Sequence, residues 1–207
     1  GDGAWQAGEP DHSGALQVTH ETPSRGRVMW DLLGEHNRMN ALAAIAAARH
    51  AGVPAAGAVD ALGQFQNVKR RMEIRGTVRE VTVYDDFAHH PTAIATTLAG
   101  LRRKAGSARI IAVIEPRSNT MKLGVMKQAL PGSLADADLV FCYSGGLGWD
   151  AAAALAPLGS KATVYDDLER MVAAIAAAAR AGDQVLVMSN GGFGGIHDKL
   201  LQRLAAG

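Results

Sequence analysis

From residue 78 onward, short apolar runs alternate with longer helix-patterned segments, and nothing else in the chain restricts its fold so tightly. Residues 78–84, 109–114, 139–143, 162–165 and 184–188 read as strands. Residues 92–104, 121–137, 150–158, 168–181 and 196–206 read as helices, the first of them opened by Pro91. Short apolar strands are covered on both faces, and a helix after each strand sets the neighbours parallel. The expected fold class is therefore α/β, a doubly wound Rossmann-like parallel sheet. Such sheets bind ligands beyond the carboxyl ends of their strands. Those ends are Asp85-Asp86, Glu115-Pro116-Arg117, Ser144-Gly145-Gly146, Asp166-Asp167 and Ser189-Asn190-Gly191.

The text before residue 74 is different. Residues 1–33 are rich in Gly, Asp, His and Thr, with an extended run at 27–33. An alanine-rich helix follows from Asn37 to Arg49, stopped by Gly52 and Pro54, and a shorter one spans 55–65. Residues 1–73 are expected to be a separate unit from 74–207, divided after the basic stretch Lys69-Arg70-Arg71. At 207 residues the chain has room for one large domain or for one and a half ordinary ones.

Charge and cysteine content narrow the partners. A net charge of +1 gives no electrostatic case for nucleic acid or a membrane surface, and leaves a small anionic substrate open. The single cysteine, Cys142, sits in an apolar strand and reads as a buried thiol in a reducing compartment. With no long apolar stretch and no basic-then-apolar leader, a cytoplasmic location is expected. The chain opens Gly1-Asp2-Gly3, without methionine and in mid-pattern, as a piece of a longer protein would.

Five constellations could carry chemistry. Gly34-Glu35-His36-Asn37-Arg38-Met39-Asn40 runs into the alanine helix; its amides either cap that helix or meet an adenine edge. Asn67-Val68-Lys69-Arg70-Arg71-Met72-Glu73 is a solvated charge run or a phosphate fork near a domain junction. Tyr84-Asp85-Asp86-Phe87-Ala88-His89-His90-Pro91 crowds four ionisable groups onto a strand end, where they could bind a ribose, hold a magnesium-bound water or move a proton. The bland alternative is that Asp85 or Asp86 satisfies loop backbone and His89 caps the next helix. Glu115-Pro116-Arg117-Ser118-Asn119-Thr120-Met121-Lys122 offers cations for a peptide carboxylate, or is a plain turn. Ser189-Asn190-Gly191-Gly192-Phe193-Gly194-Gly195-Ile196-His197 lacks the Gly-x-Gly-x-x-Gly spacing of a dinucleotide site, leaving an anion pocket or a tight turn.

In order, the strings at 34–46, 70–73, 84–92 and 115–122 resemble the Mur ligase family, and with the string at 189–197 they are similar to its members that attach a preformed peptide. The resemblance covers about residues 28 to 204 and implies three-domain enzymes. Residues 1–73 would be the tail of the central ATPase domain, and 74–207 the carboxy-terminal domain. The implied reaction phosphorylates the carboxylate of UDP-N-acetylmuramate with ATP. The amine of a murein tripeptide, L-alanyl-γ-D-glutamyl-meso-diaminopimelate, then attacks the acyl phosphate.

By the same resemblance, His36, Asn37 and Asn40 frame adenine, Arg71 reaches the phosphates and Asp85 binds ribose or its surroundings. His89, His90, Arg117, Ser118, Lys122, Ser189 and Asn190 border the tripeptide, with Arg71, Asp85 and His89 as the catalytic candidates. The family's P-loop, its modified lysine and its Mg2+ ligands are not found in these 207 residues, so Mg2+ is expected to be held elsewhere and this stretch alone to be inactive. The competing reading is a non-catalytic nucleotide- or peptide-binding module of the same fold.

Overall fold

The computed structural model describes residues 5–8, 16–20, 24–29, 35–66, 68–117 and 126–207. Two compact units divide the chain, Gly1–Asn67 and Val68–Gly207.

In the first unit, β1 (Trp5–Ala7), β2 (Leu16–His20) and β3 (Ser24–Val28) form a three-stranded antiparallel sheet. Helices α1 (Glu35–His50) and α2 (Ala55–Gly63) supply the rest of its core: Ala41, Leu42, Ile45, Ala58 and Val59 close on Val18 and Val28. Gly26 has φ 144°, and a Cβ there would lie 2.9 Å from a Val59 methyl, so only glycine lets β3 pass this close to α2. The expected extended run at 27–33 is a strand only as far as Val28; residues 30–34 lie outside the described residues.

The second unit is built from β4 (Glu73–Val78), β5 (Val81–Asp86), α3 (Pro91–Ala105), β6 (Ile110–Ile114), α4 (Leu130–Ser133), β7 (Leu139–Tyr143) and α5 (Ala151–Leu155). A 3₁₀ segment (Ala156–Lys161), β8 (Ala162–Tyr165), α6 (Leu168–Ala178), β9 (Gln184–Met188), a 3₁₀ turn (Phe193–Gly195) and α7 (Ile196–Ala206) complete it. The six-stranded sheet has the order β4-β5-β9-β6-β7-β8, parallel from β5 to β8 and antiparallel at the β4 edge.

That edge corrects the sequence reading, which took 78–84 as one strand. Val78 pairs with Val81 across a two-residue hairpin, with Arg79 and Glu80 both left-handed at φ 51° and 62°. Such turns usually announce themselves with Asn-Gly, and Arg-Glu gives no such signal. The long helix expected at 121–137 is corrected as well: residues 118–125 lie outside the described residues, 126–129 are turn, and α4 has only 4 residues. Pro131 offers no amide to continue a helix running in from the preceding turn. The helix expected at 150–158 ends as α5 at Leu155, and the 3₁₀ segment after it turns at Gly159, whose φ is 57°.

Period-two alternation sorts the strand residues onto two cores. Ile110, Ala112, Ile114, Leu186 and Met188 face α3, α4 and α5, while Ile111, Val113, Val185 and Val187 face α6 and α7. Burying each large aliphatic chain contributes about 1.5–3 kcal/mol, so these paired layers are the main source of stability. Cys142 lies wholly inside the first layer, where burial pushes its thiol pKa up to about 12.

Charges close the amino-terminal end of the sheet. Asp183 receives Arg109 Nε at 3.0 Å and Nη2 at 2.6 Å, and the same Nη2 donates to the Ala178 carbonyl where α6 ends. Asp138 accepts from the Ile110 amide at 2.7 Å and pairs with Arg102. Among the described residues no helix is long and apolar enough to cross a membrane.

Candidate functional site

The site grows from the carboxyl ends of β5, β6 and β9. Consecutive residues of a strand point to opposite faces, so Asp85 and Asp86 serve different neighbours although both are only 3% exposed. Asp85 faces α7. Its Oδ1 lies 3.3 Å from Arg70 Nε and 3.4 Å from His197 Nε2, and its Oδ2 lies 3.5 Å from Arg75 Nη1. Burial alone would raise its pKa; His197 and Arg70 outweigh that and hold the carboxyl below its ordinary value.

Asp86 faces α3 and satisfies loop backbone. It accepts from the amides of Ala88 at 2.8 Å and Met72 at 2.9 Å, and from the Thr97 hydroxyl at 3.3 Å. Burial nevertheless raises its pKa, because these bonds and the field of Arg71 offset the desolvation only in part.

Residues 70–73 form a tight clasp in front of β4. Arg70 and Met72 are left-handed at φ 61° and 52°, a conformation that persists in bulky residues only when the surroundings hold it. They do so here: the Arg70 amide donates to Glu73 at 2.8 Å, its carbonyl accepts from the Phe87 amide at 2.8 Å, and Met72 is tied to Asp86. The Arg70 guanidinium turns inward, over the Phe87 ring and onto the Ser189 carbonyl. Arg71 is exposed.

In their neutral forms the two histidines take opposite tautomers. His89 Nδ1 is 2.8 Å from the Phe87 carbonyl, which can only accept, so Nδ1 carries a proton and a neutral His89 has its lone pair on Nε2. His90 Nδ1 accepts from the Thr92 amide at 3.3 Å, which makes His90, and not His89, the cap of α3. A neutral His90 keeps its proton on Nε2.

At the ends of β6 and β9, the Ser189 hydroxyl donates to Glu115 Oε2 and accepts from the Gly191 amide at 3.0 Å. Glu115 Oε1 is 4.0 Å from Arg117 Nη1, and the Arg117 side chain is 52% exposed. Arg117 crosses Gly191 so closely that a Cβ there would meet its Cδ at 2.7 Å. Glu115, Pro116, Arg117, Tyr143, Gly145 and Leu147 line a cleft of about 180 Å³ beside it. The arrangement suits an anionic group with hydrogen-bond donors of its own: a cationic fork above, a carboxylate oxygen and a phenol beside it.

The structure thus gathers Asp85 and Ser189 around Arg70, and sets Arg117 against Gly191 and beside Glu115. His36, Asn37 and Asn40 fall on α1 in the first unit, with Asn37 half-buried and Asn40 exposed; the side chain of His36 lies outside the described residues. Ser118 and Lys122 also lie outside them. Asn190 Oδ1 is buried without a hydrogen-bond partner. Among the described residues no cluster of three His, Cys, Asp or Glu side chains fits a metal ion. Sequence reasoning put Arg70 in a possible phosphate fork and His197 in a glycine-rich anion pocket or turn, without pairing either with Asp85, and it missed Arg75 and Tyr143 as neighbours of this site.

Comparison with known proteins gives this arrangement a context. Residues 70–191 match the family model described as Mur ligase, glutamate ligase domain. The chain is 50% identical over 206 residues to the UDP-N-acetylmuramate–L-alanyl-γ-D-glutamyl-meso-2,6-diaminoheptandioate ligase of Escherichia coli K12, covering 98% of this chain and 45% of that protein. With the UDP-N-acetylmuramate–L-alanine ligase of Streptomyces griseus the identity is 36% over 188 residues, covering 84% of this chain and 39% of the other. A crystal structure of a murein peptide ligase from Psychrobacter arcticus superposes with a TM-score of 0.71 at 40% identity, over 97% of this chain and 44% of that one. The chain spans less than half the length of these relatives. With the matched model covering both the clasp and the strand-end cluster, the chain belongs to the Mur ligase family.

Proposed function

We propose that this chain is the carboxy-terminal part of an ATP-dependent ligase that joins L-alanyl-γ-D-glutamyl-meso-diaminopimelate to UDP-N-acetylmuramate in peptidoglycan recycling. The observation that carries the peptide half of the reading is Arg117, a half-exposed guanidinium seated on Gly191 where β6 and β9 end. The choice of peptide follows the relatives: identity is higher to the tripeptide ligase than to the alanine ligase, and over more of the chain.

In this reading ATP supplies the phosphoryl group that activates the muramate carboxylate. This chain's residues orient the incoming peptide and handle its proton. Arg117 binds a peptide carboxylate as a charge-assisted pair, and Glu115, fixed by Ser189, keeps the guanidinium facing the cleft. His89, whose neutral form has its lone pair on Nε2, is the group placed to accept the proton that the attacking amine must lose. Arg71, whose charge acts on Asp86, is the cation offered toward phosphate. Asp85 is committed to Arg70, Arg75 and His197, so its part is to position these neighbours. Mg2+ enters with ligands outside these residues.

The test is Arg117→Ala in the full-length protein that carries this chain. Losing a charge-assisted hydrogen bond costs about 1.5–3 kcal/mol, so the KM for tripeptide is expected to rise roughly ten- to a hundredfold with that for ATP unchanged. A raised KM for ATP with an unchanged one for tripeptide would move Arg117 to the nucleotide side. The 207 residues alone, which contain no Gly-x-x-Gly-Lys-Ser/Thr loop, are expected to form no product.

A further inference from the structure

We infer that Arg70 is a positioning residue for the peptide rim, acting through the Ser189–Gly191 loop; the inference rests on the reading of Arg117 given above. A contact exists at every step. The Arg70 guanidinium donates to the Ser189 carbonyl, the Ser189 hydroxyl holds both Glu115 and the Gly191 amide, and Gly191 is the surface on which Arg117 lies.

Both ends of the Arg70 lever are fixed. Its backbone is locked left-handed by Glu73 and Phe87, and its Nε faces an Asp85 that Arg75 also meets. Arg75 in turn reaches Asp198 on α7 at 3.5 Å, tying the carboxylate's surroundings to a second element. A planar fork is needed because two acceptors in different directions, Asp85 Oδ1 and the Ser189 carbonyl, must be met at once while the flat face covers Phe87. Lysine would keep the charge and lose that geometry. Arg70 therefore does for the loop what a residue supporting a binding group must do: it fixes the loop's carbonyl, and through it the direction of Arg117.

The test is Arg70→Lys, read in two ways. In the full-length protein the KM for tripeptide is expected to rise about fivefold or more with the KM for ATP nearly unchanged, while the melting temperature falls by a few degrees as the bonds to Asp85 and the Ser189 carbonyl are lost. Equal changes in both KM values, or none in that for tripeptide, would overturn the inference. In the 207-residue chain, the amide resonances of Ser189, Asn190 and Gly191 are expected to shift, while those of β7 and β8 stay in place. Unmoved loop resonances would overturn it regardless of any assay. A wild-type protein that makes no product from tripeptide would sink the functional reading instead, and the resonance experiment would still decide the role of Arg70.

Discussion

At the amino-terminal end of the six-stranded sheet, Asp183 takes two Arg109 nitrogens and the Arg180 amide. At the carboxyl end, Glu115 gives one oxygen to Ser189 and leaves the other 4.0 Å from a half-exposed Arg117. The first set of charges bonds within itself and joins β6, α6 and β9; the second holds some bonding capacity open toward a cleft. A charged cluster in this fold therefore marks a binding site by what it leaves unused. Asp85 lies at the carboxyl end yet is taken up by Arg70 and Arg75, with His197 Nε2 3.4 Å from its Oδ1 but buried without a hydrogen bond.

The comparison breaks most visibly at Asp183. Replacing it with alanine strands Arg109, and removing one partner of a buried pair costs about 3 kcal/mol. In thermal denaturation of the 207-residue chain the transition is expected to fall by about 6–12 °C. Tripeptide use by the full-length protein should not change. A fall of a degree or less would mean that the amino-terminal end is as open as the other.

The clasp offers a somewhat smaller effect. Residues 75–207 hold the parallel strands and their helices but lack Arg70 and the Met72 amide. They are expected to unfold cooperatively, yet to be less stable than residues 68–207 by about 1–3 kcal/mol, as measured by urea denaturation. Equal stability would show that the clasp adds nothing to Asp85 and Asp86.

The two adjacent aspartates sharpen the contrast further, because their linkage to pH has opposite signs. Asp85 is held below the ordinary value of 3.8, so its contribution is present above that pH and is lost as pH falls through its lower folded pKa. Asp86 is raised above 3.8, so its contribution is complete below that pH and is lost as pH rises through its higher folded pKa. Melting temperatures from pH 6 to 3 should therefore show a shallower acid loss in Asp85→Asn and a steeper one in Asp86→Asn. Matching slopes would contradict their placement on opposite faces.

Cys142 gives the smallest effect. With its thiol pKa near 12 and no exposure, it is expected to resist a thiol reagent at pH 8 until the protein unfolds. Labelling faster than unfolding would place it at an open edge.

Much of this was legible in the sequence because each parallel strand is short, apolar and followed by a helix. The strands at 139–143, 162–165 and 184–188 and the helix at 196–206 have those bounds in the structure. The β4–β5 hairpin was hidden because its turn is Arg79-Glu80, in which neither residue carries the usual preference for positive φ. Strand ends located the candidate site, but not which neighbour each side chain meets. Arg70 sits beside Arg71 in one basic run, and only the clasp turns one inward and leaves the other exposed. His197 read as part of a glycine-rich turn, whereas the first turn of α7 carries it back to Asp85. Such pairings join residues more than a hundred positions apart, beyond any local pattern.

The central claim is that this chain carries the peptide side of a ligase. The most direct test supplies the full-length protein with UDP-N-acetylmuramate, ATP, Mg2+ and either L-alanyl-γ-D-glutamyl-meso-diaminopimelate or L-alanine, and reads the products by mass. The account predicts UDP-N-acetylmuramoyl-tripeptide, with no comparable product from L-alanine. Ligation of L-alanine in preference to the tripeptide, or of neither, would contradict it.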